Sequence, residues 1–280
     1  MHRMKKILLA AAMFGGIYAS QAQPIRTPQP SVSQTIKQDF ALGSVEVNYS
    51  RPSKKGRTIF GDLVPYGAIW RTGANNATTI SFSDEVMIGD KKVSAGKYGL
   101  LTIPGKSEWT VIITKQTDVT SPGAYKQDQD VARVNVPAIN MSETVETFMI
   151  GFDNASASGI DMLMMWDKTV VVVPIKMEVD GKVMAQINNA MNKDNKPYFQ
   201  SAMYYMENGK DLNQANAWFD KAIEQNPQAY WVYHQKANCL AKMGKKTDAI
   251  TVANKSMEMA RNAGNPDYVA LNQKLIASLK

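Results

Sequence analysis

Residues 169–191 read TVVVVPIKMEVDGKVMAQINNAM, and the chain changes its structural pattern within them. Thr169 to Ile175 is apolar on both faces and rich in β-branched residues, so it is expected as a central strand. Left exposed, such a run is an aggregation hazard. Asp180-Gly181 breaks it, and the residues that follow recur at helical spacing. A β-rich domain is therefore expected over 31–180 and a helical one over 183–280.

Upstream of this boundary the period is two. Val45, Val47 and Tyr49 alternate with Glu46, Asn48 and Ser50, and Trp109, Val111 and Ile113 with Thr110, Ile112 and Thr114. Alternation of this kind marks half-buried strands. Turn signals fall between the runs at Gly89-Asp90, at Pro104 to Ser107, and at Asp167-Lys168 between Trp166 and Thr169. The pattern predicts about nine strands in an antiparallel β-sandwich. The methionine-rich run Met162 to Met165 belongs to its core.

Downstream, Ala202, Tyr205, Leu212, Ala215, Phe219, Ala222 and Ile223 follow Pro197 and close on Asn226-Pro227. Ala215 and Ala249, Ala222 and Ser256, and Ile223 and Met257 each stand 34 residues apart. That is the tetratricopeptide period, which uses small residues where paired helices approach closely. Lys236 and Ala253 depart from the repeat pattern, and the closing proline is displaced to Pro266. Helices around Val183–Met191 and Asp267–Leu279 are expected to cap the two repeats, and the bundle is expected to dock on the sandwich. The fold class is thus α+β as two domains, a β-sandwich followed by a short tetratricopeptide-like bundle.

One stretch does not fit a plain strand-and-turn reading. Residues 49–75, YSRPSKKGRTIFGDLVPYGAIWRTGAN, carry Arg51, Lys54, Lys55, Arg57 and Arg71 with a single acid, Asp62. Tyr49, Phe60, Tyr66 and Trp70 stand among them. Inter-strand excursions of this length are usually functional or carry structure of their own. Arginine forks recognise carboxylate or phosphate in a bidentate manner. Arg51, Arg57, Tyr66, Trp70, Arg71 and Asn75 are therefore the candidate ligand-binding residues, for an anionic small molecule or a glycan. The structural alternative makes the same segment a brace: its aromatics pin it to the sandwich, Lys54-Lys55 is a solvated tip, and Arg71 neutralises an inward acid.

These residues also carry a family resemblance. Tyr49 to Pro52, Gly56-Arg57, Ile59 to Gly61, Leu63 to Gly67, Trp70 to Asn75, Ala95 to Tyr98 and Trp109 to Ile112 resemble a bacterial family known as domain of unknown function 2911. The resemblance covers roughly residues 30–180. It implies an exported β-rich domain, followed in some members by tetratricopeptide-like helices, and it brings no activity.

At the other end of the chain, Arg3, Lys5 and Lys6 precede an apolar core from Ile7 to Ala19. This reads as a secretory signal peptide over 1–22, with cleavage after Ala22. No later run reaches the roughly 20 apolar residues of a membrane helix, so a periplasmic or extracellular protein without a membrane span is expected. Without the signal, 29 Lys and Arg stand against 25 Asp and Glu, which is too mild an excess to suggest nucleic acid. Residues 23–180 hold 16 cations and 17 anions, so the basicity of the 49–75 segment is local. The single cysteine, Cys239, rules out an intramolecular disulfide, and its position suits a small buried helical residue.

Subtraction narrows the chemistry. Beyond the signal the only histidine is His234, expected on a helix surface, so histidine-activated nucleophiles and zinc sites lack their components. No catalytic residue, metal ligand or cofactor is assigned. Asp128 and Asp130 lack the glycine and glutamate of a calcium loop. Paired carboxylates are still available in Asp62, Asp84, Glu85 and Glu108, and two acids suffice for glycoside hydrolysis.

Three functional readings follow. The first is a non-enzymatic envelope binding or accessory module whose helical tail contacts an envelope protein or peptide. The second is a carboxylate-based carbohydrate-active or other hydrolytic enzyme. The third is a purely structural β-domain.

Overall fold

The computed structural model describes residues 27–280. The expected signal peptide over 1–22 lies outside the described residues. Nine strands are described: β1 (Val32–Phe40), β2 (Gly43–Arg51), β3 (Thr79–Phe82), β4 (Val86–Ile88), β5 (Lys91–Val93), β6 (Gly96–Ile103), β7 (Glu108–Thr114), β8 (Asp130–Asp153) and β9 (Gly159–Lys176). They form one antiparallel sheet in the order β1-β2-β3-β6-β7-β8-β9-β4-β5. The sandwich is this single sheet folded over.

The fold-over occurs along β8. Its first part, through Pro137, pairs with β7, and the part from Ala138 onward pairs with β9. Register shifts between Asn140 and Val145, and again before Met149, release the ladder so that the strand can change direction. The far limb then returns to β2, where the Ile150 N–H donates to the Tyr49 hydroxyl at 2.9 Å. Tyr49, Trp109, Phe148 and Trp166 are fully buried between the limbs, with Met162 and Met164 beside them.

Two sequence expectations change here. Asp167-Lys168 is a kink inside β9 rather than a turn, with Asp167 at φ 54° and its carboxylate paired to Lys54. Thr169–Ile175 does lie inside the sheet order, yet Val171, Val173 and Ile175 are buried while Val170 and Val172 are half-buried and Pro174 is exposed. One face of the folded sheet is interior, so the apolar run is covered by alternate residues. Conversely, Leu101 and Ile112 on the outer face of β6 and β7 are buried under Val119, Ile69 and Tyr125. Loops cover what the alternation assigned to solvent.

Six helices follow: α1 (Asp180–Met191), α2 (Tyr198–Glu207), α3 (Leu212–Gln225), α4 (Tyr230–Lys242), α5 (Lys246–Asn262) and α6 (Pro266–Leu279). Neighbours pack in sequence from α2 to α6, and α4 also touches α2 and α6, as stacked helical hairpins require. Ala215, Ala222, Ala249, Ala253 and Ser256 are buried, which explains the small residues at the 34-residue spacing. Lys236 pairs with Asp220. Pro266 opens α6, where the Asn265 side chain accepts from the Tyr268 N–H.

His234 is buried at 7 % exposure, which corrects its expected place on a helix surface. Asn272 Oδ1 lies 2.8 Å from its Nδ1, and Asn238 Nδ2 lies 3.1 Å from its Nε2. Asn272 is fully buried and donates in turn to Ser256 Oγ at 2.9 Å and to the Tyr268 carbonyl at 2.7 Å. Cys239 is buried as expected, and burial pushes its thiol pKa up.

The expected docking of bundle on sheet takes a smaller form. The two apolar clusters are separate, that of the β domain reaching only to Val179 and that of the helices beginning at Tyr198. The junction is tied instead by polar contacts. Lys182 pairs with Asp84 at 2.8 Å, and Asp180 accepts from Tyr204 and Lys210 at 2.9 and 2.8 Å. Lys182 and Lys210 hold the carboxyls of Asp84 and Asp180 below their usual range, and burial beside Asp180 pushes the Tyr204 hydroxyl up to about 12.

Candidate functional site

The 49–75 excursion has an inner and an outer face. On the inner face Ile59, Val64 and Thr72 are buried and Phe60 is half-buried. Phe60 meets Trp109 edge-on at 4.9 Å, and Trp70 meets Phe148 at 5.0 Å and stacks on Trp166 at 5.9 Å. Edge-on and offset aromatic pairs contribute about 0.5–1.5 kcal/mol beyond area burial. Backbone bonds add to this anchoring: Phe148 N–H donates to the Pro52 carbonyl, Lys54 N–H to Glu146, and Trp70 exchanges two bonds with Thr102. Phe60 and Trp70 pin the segment to the core as the brace reading expects, whereas Tyr66, expected to do the same, is exposed over Gly61.

The outer face bounds an open cavity of about 520 Å³. Lys55, Arg57 and Arg71 supply its cations, and Pro52, Trp70 and Trp166 its apolar floor. No aspartate or glutamate lines it. Among the described residues, none of Arg51, Arg57 and Arg71 forms an ion pair with a carboxylate. The expected inward acid beside Arg71 is therefore replaced by backbone. Arg71 Nη1 donates to the carbonyls of Thr120 and Asn75, and Arg57 donates to those of Ser53 at 2.6 Å and Lys54 at 3.0 Å. A carbonyl holds a guanidinium in place without cancelling its charge. Each fork is thus oriented on one side and has donors left on the other.

The backbone that shapes this wall is strained. Thr72 is β-branched, fully buried and held at φ 56°, a conformation that is an outlier for such a residue. Its hydroxyl lies 3.1 Å from that of Thr102, and its carbonyl accepts from Thr78. Gly73 follows at φ 153°, where an added Cβ would stand 2.8 Å from the Ser50 carbonyl oxygen, so only glycine fits. Strain of this kind costs about 1–3 kcal/mol per residue and collects at functional positions.

Three of the six sequence candidates, Arg57, Trp70 and Arg71, are brought together on the cavity. The other three lie apart from its lining. Arg51 donates through Nε to the Phe148 carbonyl at 3.1 Å, Tyr66 covers Gly61 and is itself 41 % exposed, and Asn75 holds the Ser31 carbonyl through its side-chain amide. Lys54, half of the expected solvated tip, is instead paired with Asp167. Sequence reasoning did not select Lys55 or Trp166. Lys55 offered only its place in the basic run. Trp166 comes from a distant strand, and nothing local connected it to Trp70.

The carboxylates are scattered. Asp62 is exposed on its loop, Asp84 is taken by Lys182, Glu85 pairs with Lys92 at 3.4 Å, and Glu108 is exposed at the start of β7. Asp128 is likewise exposed, whereas Asp130 turns inward to Arg133 at 2.9 Å and to the Tyr125 hydroxyl. Burial and Asp130 push that phenol up to about 12.

Residues 31–175, more than half of the chain, match the family described as Protein of unknown function (DUF2911). The chain belongs to this family. A second match, to the tetratricopeptide repeat, covers residues 218–251, from within α3 into α5. No curated protein and no solved structure matches the chain. The DUF2911 match takes in the whole excursion, so the cavity is a feature of the DUF2911 domain and the repeat match lies outside it. No helix among the described residues is long and apolar enough to cross a membrane. The repeat match points to protein–protein contact through the tail.

Proposed function

We propose that the chain is an exported, non-enzymatic binding protein of the cell envelope. Its DUF2911 domain takes an anionic small molecule at Lys55, Arg57 and Arg71, and its helical tail contacts an envelope protein. The observation that carries this reading is the pair of backbone-anchored arginines in the lining of a cavity to which no carboxylate contributes. An unneutralised cluster of oriented donors over an apolar floor favours an anion and contributes more than the same charges on a flat, solvated surface. The hydrolytic alternative lacks this kind of support, since Asp62, Asp84, Glu85 and Glu108 all lie away from the cavity lining.

The test is a titration of the protein with citrate and with inorganic phosphate, read by tryptophan fluorescence because Trp70 and Trp166 line the cavity. Saturable binding that weakens at least tenfold in Arg57→Gln and Arg71→Gln, while the melting temperature holds, supports the reading. Binding indifferent to both substitutions, or no binding, counts against it. Export has its own check: the protein recovered from the envelope should begin at Gln23.

A further inference from the structure

The anion cavity does not end at Arg71. A second cavity of about 180 Å³ adjoins it, and Leu63, Val64, Trp70 and Arg71 belong to both linings. The second chamber is mostly apolar, walled further by Pro65, Ala68, Ile69, Val119 and Pro122. Among the described residues, no charged one other than Arg71 lines it. Leu63, on the wall common to both, is 44 % exposed, a large apolar side chain with no cover.

We infer that the ligand is an amphiphilic anion, with its charged head at Lys55, Arg57 and Arg71 and a short alkyl group in the chamber beyond Arg71. The inference rests on the anion-binding reading above and names the ligand class for that site. Arg71 is the pivot, because it lines both chambers and its guanidinium is fixed to the Thr120 and Asn75 carbonyls. A head group bound there places whatever it carries at the mouth of the apolar side. A glycan suits these walls less well. Sugars stack on free aromatic faces, whereas Trp70 is stacked on Trp166 with ring planes 19° apart, and Tyr66 lines neither cavity.

The experiment compares inorganic phosphate with butyl, hexyl and octyl phosphate below their micellar concentrations, by calorimetry on the full chain without its signal. Hexanol and glucose 6-phosphate serve as controls. Affinity is expected to rise about fourfold per methylene, the factor equivalent to about 0.8 kcal/mol, until the chamber is full. Ala68→Phe, which fills the chamber, should reduce the ratio of hexyl phosphate to inorganic phosphate affinity at least fivefold, and a melting curve confirms folding. Arg71→Gln should weaken hexyl phosphate at least tenfold.

If alkyl phosphates bind no tighter than inorganic phosphate, or if the Ala68→Phe ratio is unchanged, the amphiphile inference is overturned and the anion site stands. Hexanol binding as tightly as hexyl phosphate, or glucose 6-phosphate binding more tightly, overturns it too. If neither phosphate nor any alkyl phosphate binds in an Arg71-dependent way, the anion-binding reading falls with it.

Discussion

Around Arg57 and Arg71 the polar groups of the β domain face an open cavity with charge left over, while around His234 and Asn272 those of the helical region are enclosed and satisfy one another. The first set is oriented by carbonyls and has no acid partner. The second runs His234–Asn272–Ser256 and ends on the Tyr230 carbonyl, each member bonded to the next. A closed network fixes how helices pack, because any other register would strand its members. An open cationic one adds little to packing, and on the proposed reading its remaining donors are those that meet the anion.

The contrast can be broken by mutation. The largest effect is expected below both systems, in the aromatic layer: Trp166→Ala should destabilise by about 3–5 kcal/mol, the range for truncating a large aromatic in a core. Urea unfolding measures it, and a much smaller loss would mean that the cavity floor is not part of the core. His234→Ala comes next, at about 1–3 kcal/mol, since it leaves Asn272 Oδ1 buried and unpaired. Arg71→Ala should cost about 1 kcal/mol or less, because its partners are backbone carbonyls that water can reach. If Arg71→Ala and His234→Ala prove equally damaging by the same urea assay, the distinction between open and closed polarity fails.

The smallest effect concerns the junction. Asp84 and Asp180 have depressed folded-state pKa values, so their contribution is present above the unfolded carboxylate range and disappears as pH falls through the folded value. Scattering profiles between pH 6 and pH 3 should show the two regions loosening only near and below the ordinary value of 3.8. Loosening already at pH 6 would show that other contacts hold them.

Local pattern was enough for most of the architecture. Period-two runs such as Val45-Val47-Tyr49 and the 34-residue spacing of Ala215 and Ala249 report burial by neighbours in sequence, and both are met in the structure. What escaped was set by distant residues. The kinked Asp167 meets Lys54, Ile112 is buried under loop residues such as Val119 and Ile69, and the buried His234 bonds to Asn272. The site divides the same way. Arg57, Trp70 and Arg71 were legible in a segment whose composition was anomalous, while Trp166 joins them only through the folding-over of β8.

That folding-over has a kinetic consequence. Joining Tyr49 to Ile150, and Pro52 to Phe148, closes a loop of about a hundred residues, a step whose entropic cost predicts that it comes late in assembly. Until it closes, Trp166 is not beside Trp70 and the cavity does not exist. A ligand at Arg71 would therefore bind the finished fold alone and shift its equilibrium by mass action, about 2.7 kcal/mol at a hundredfold excess over Kd. In such a protein, occupancy is recorded as resistance to unfolding.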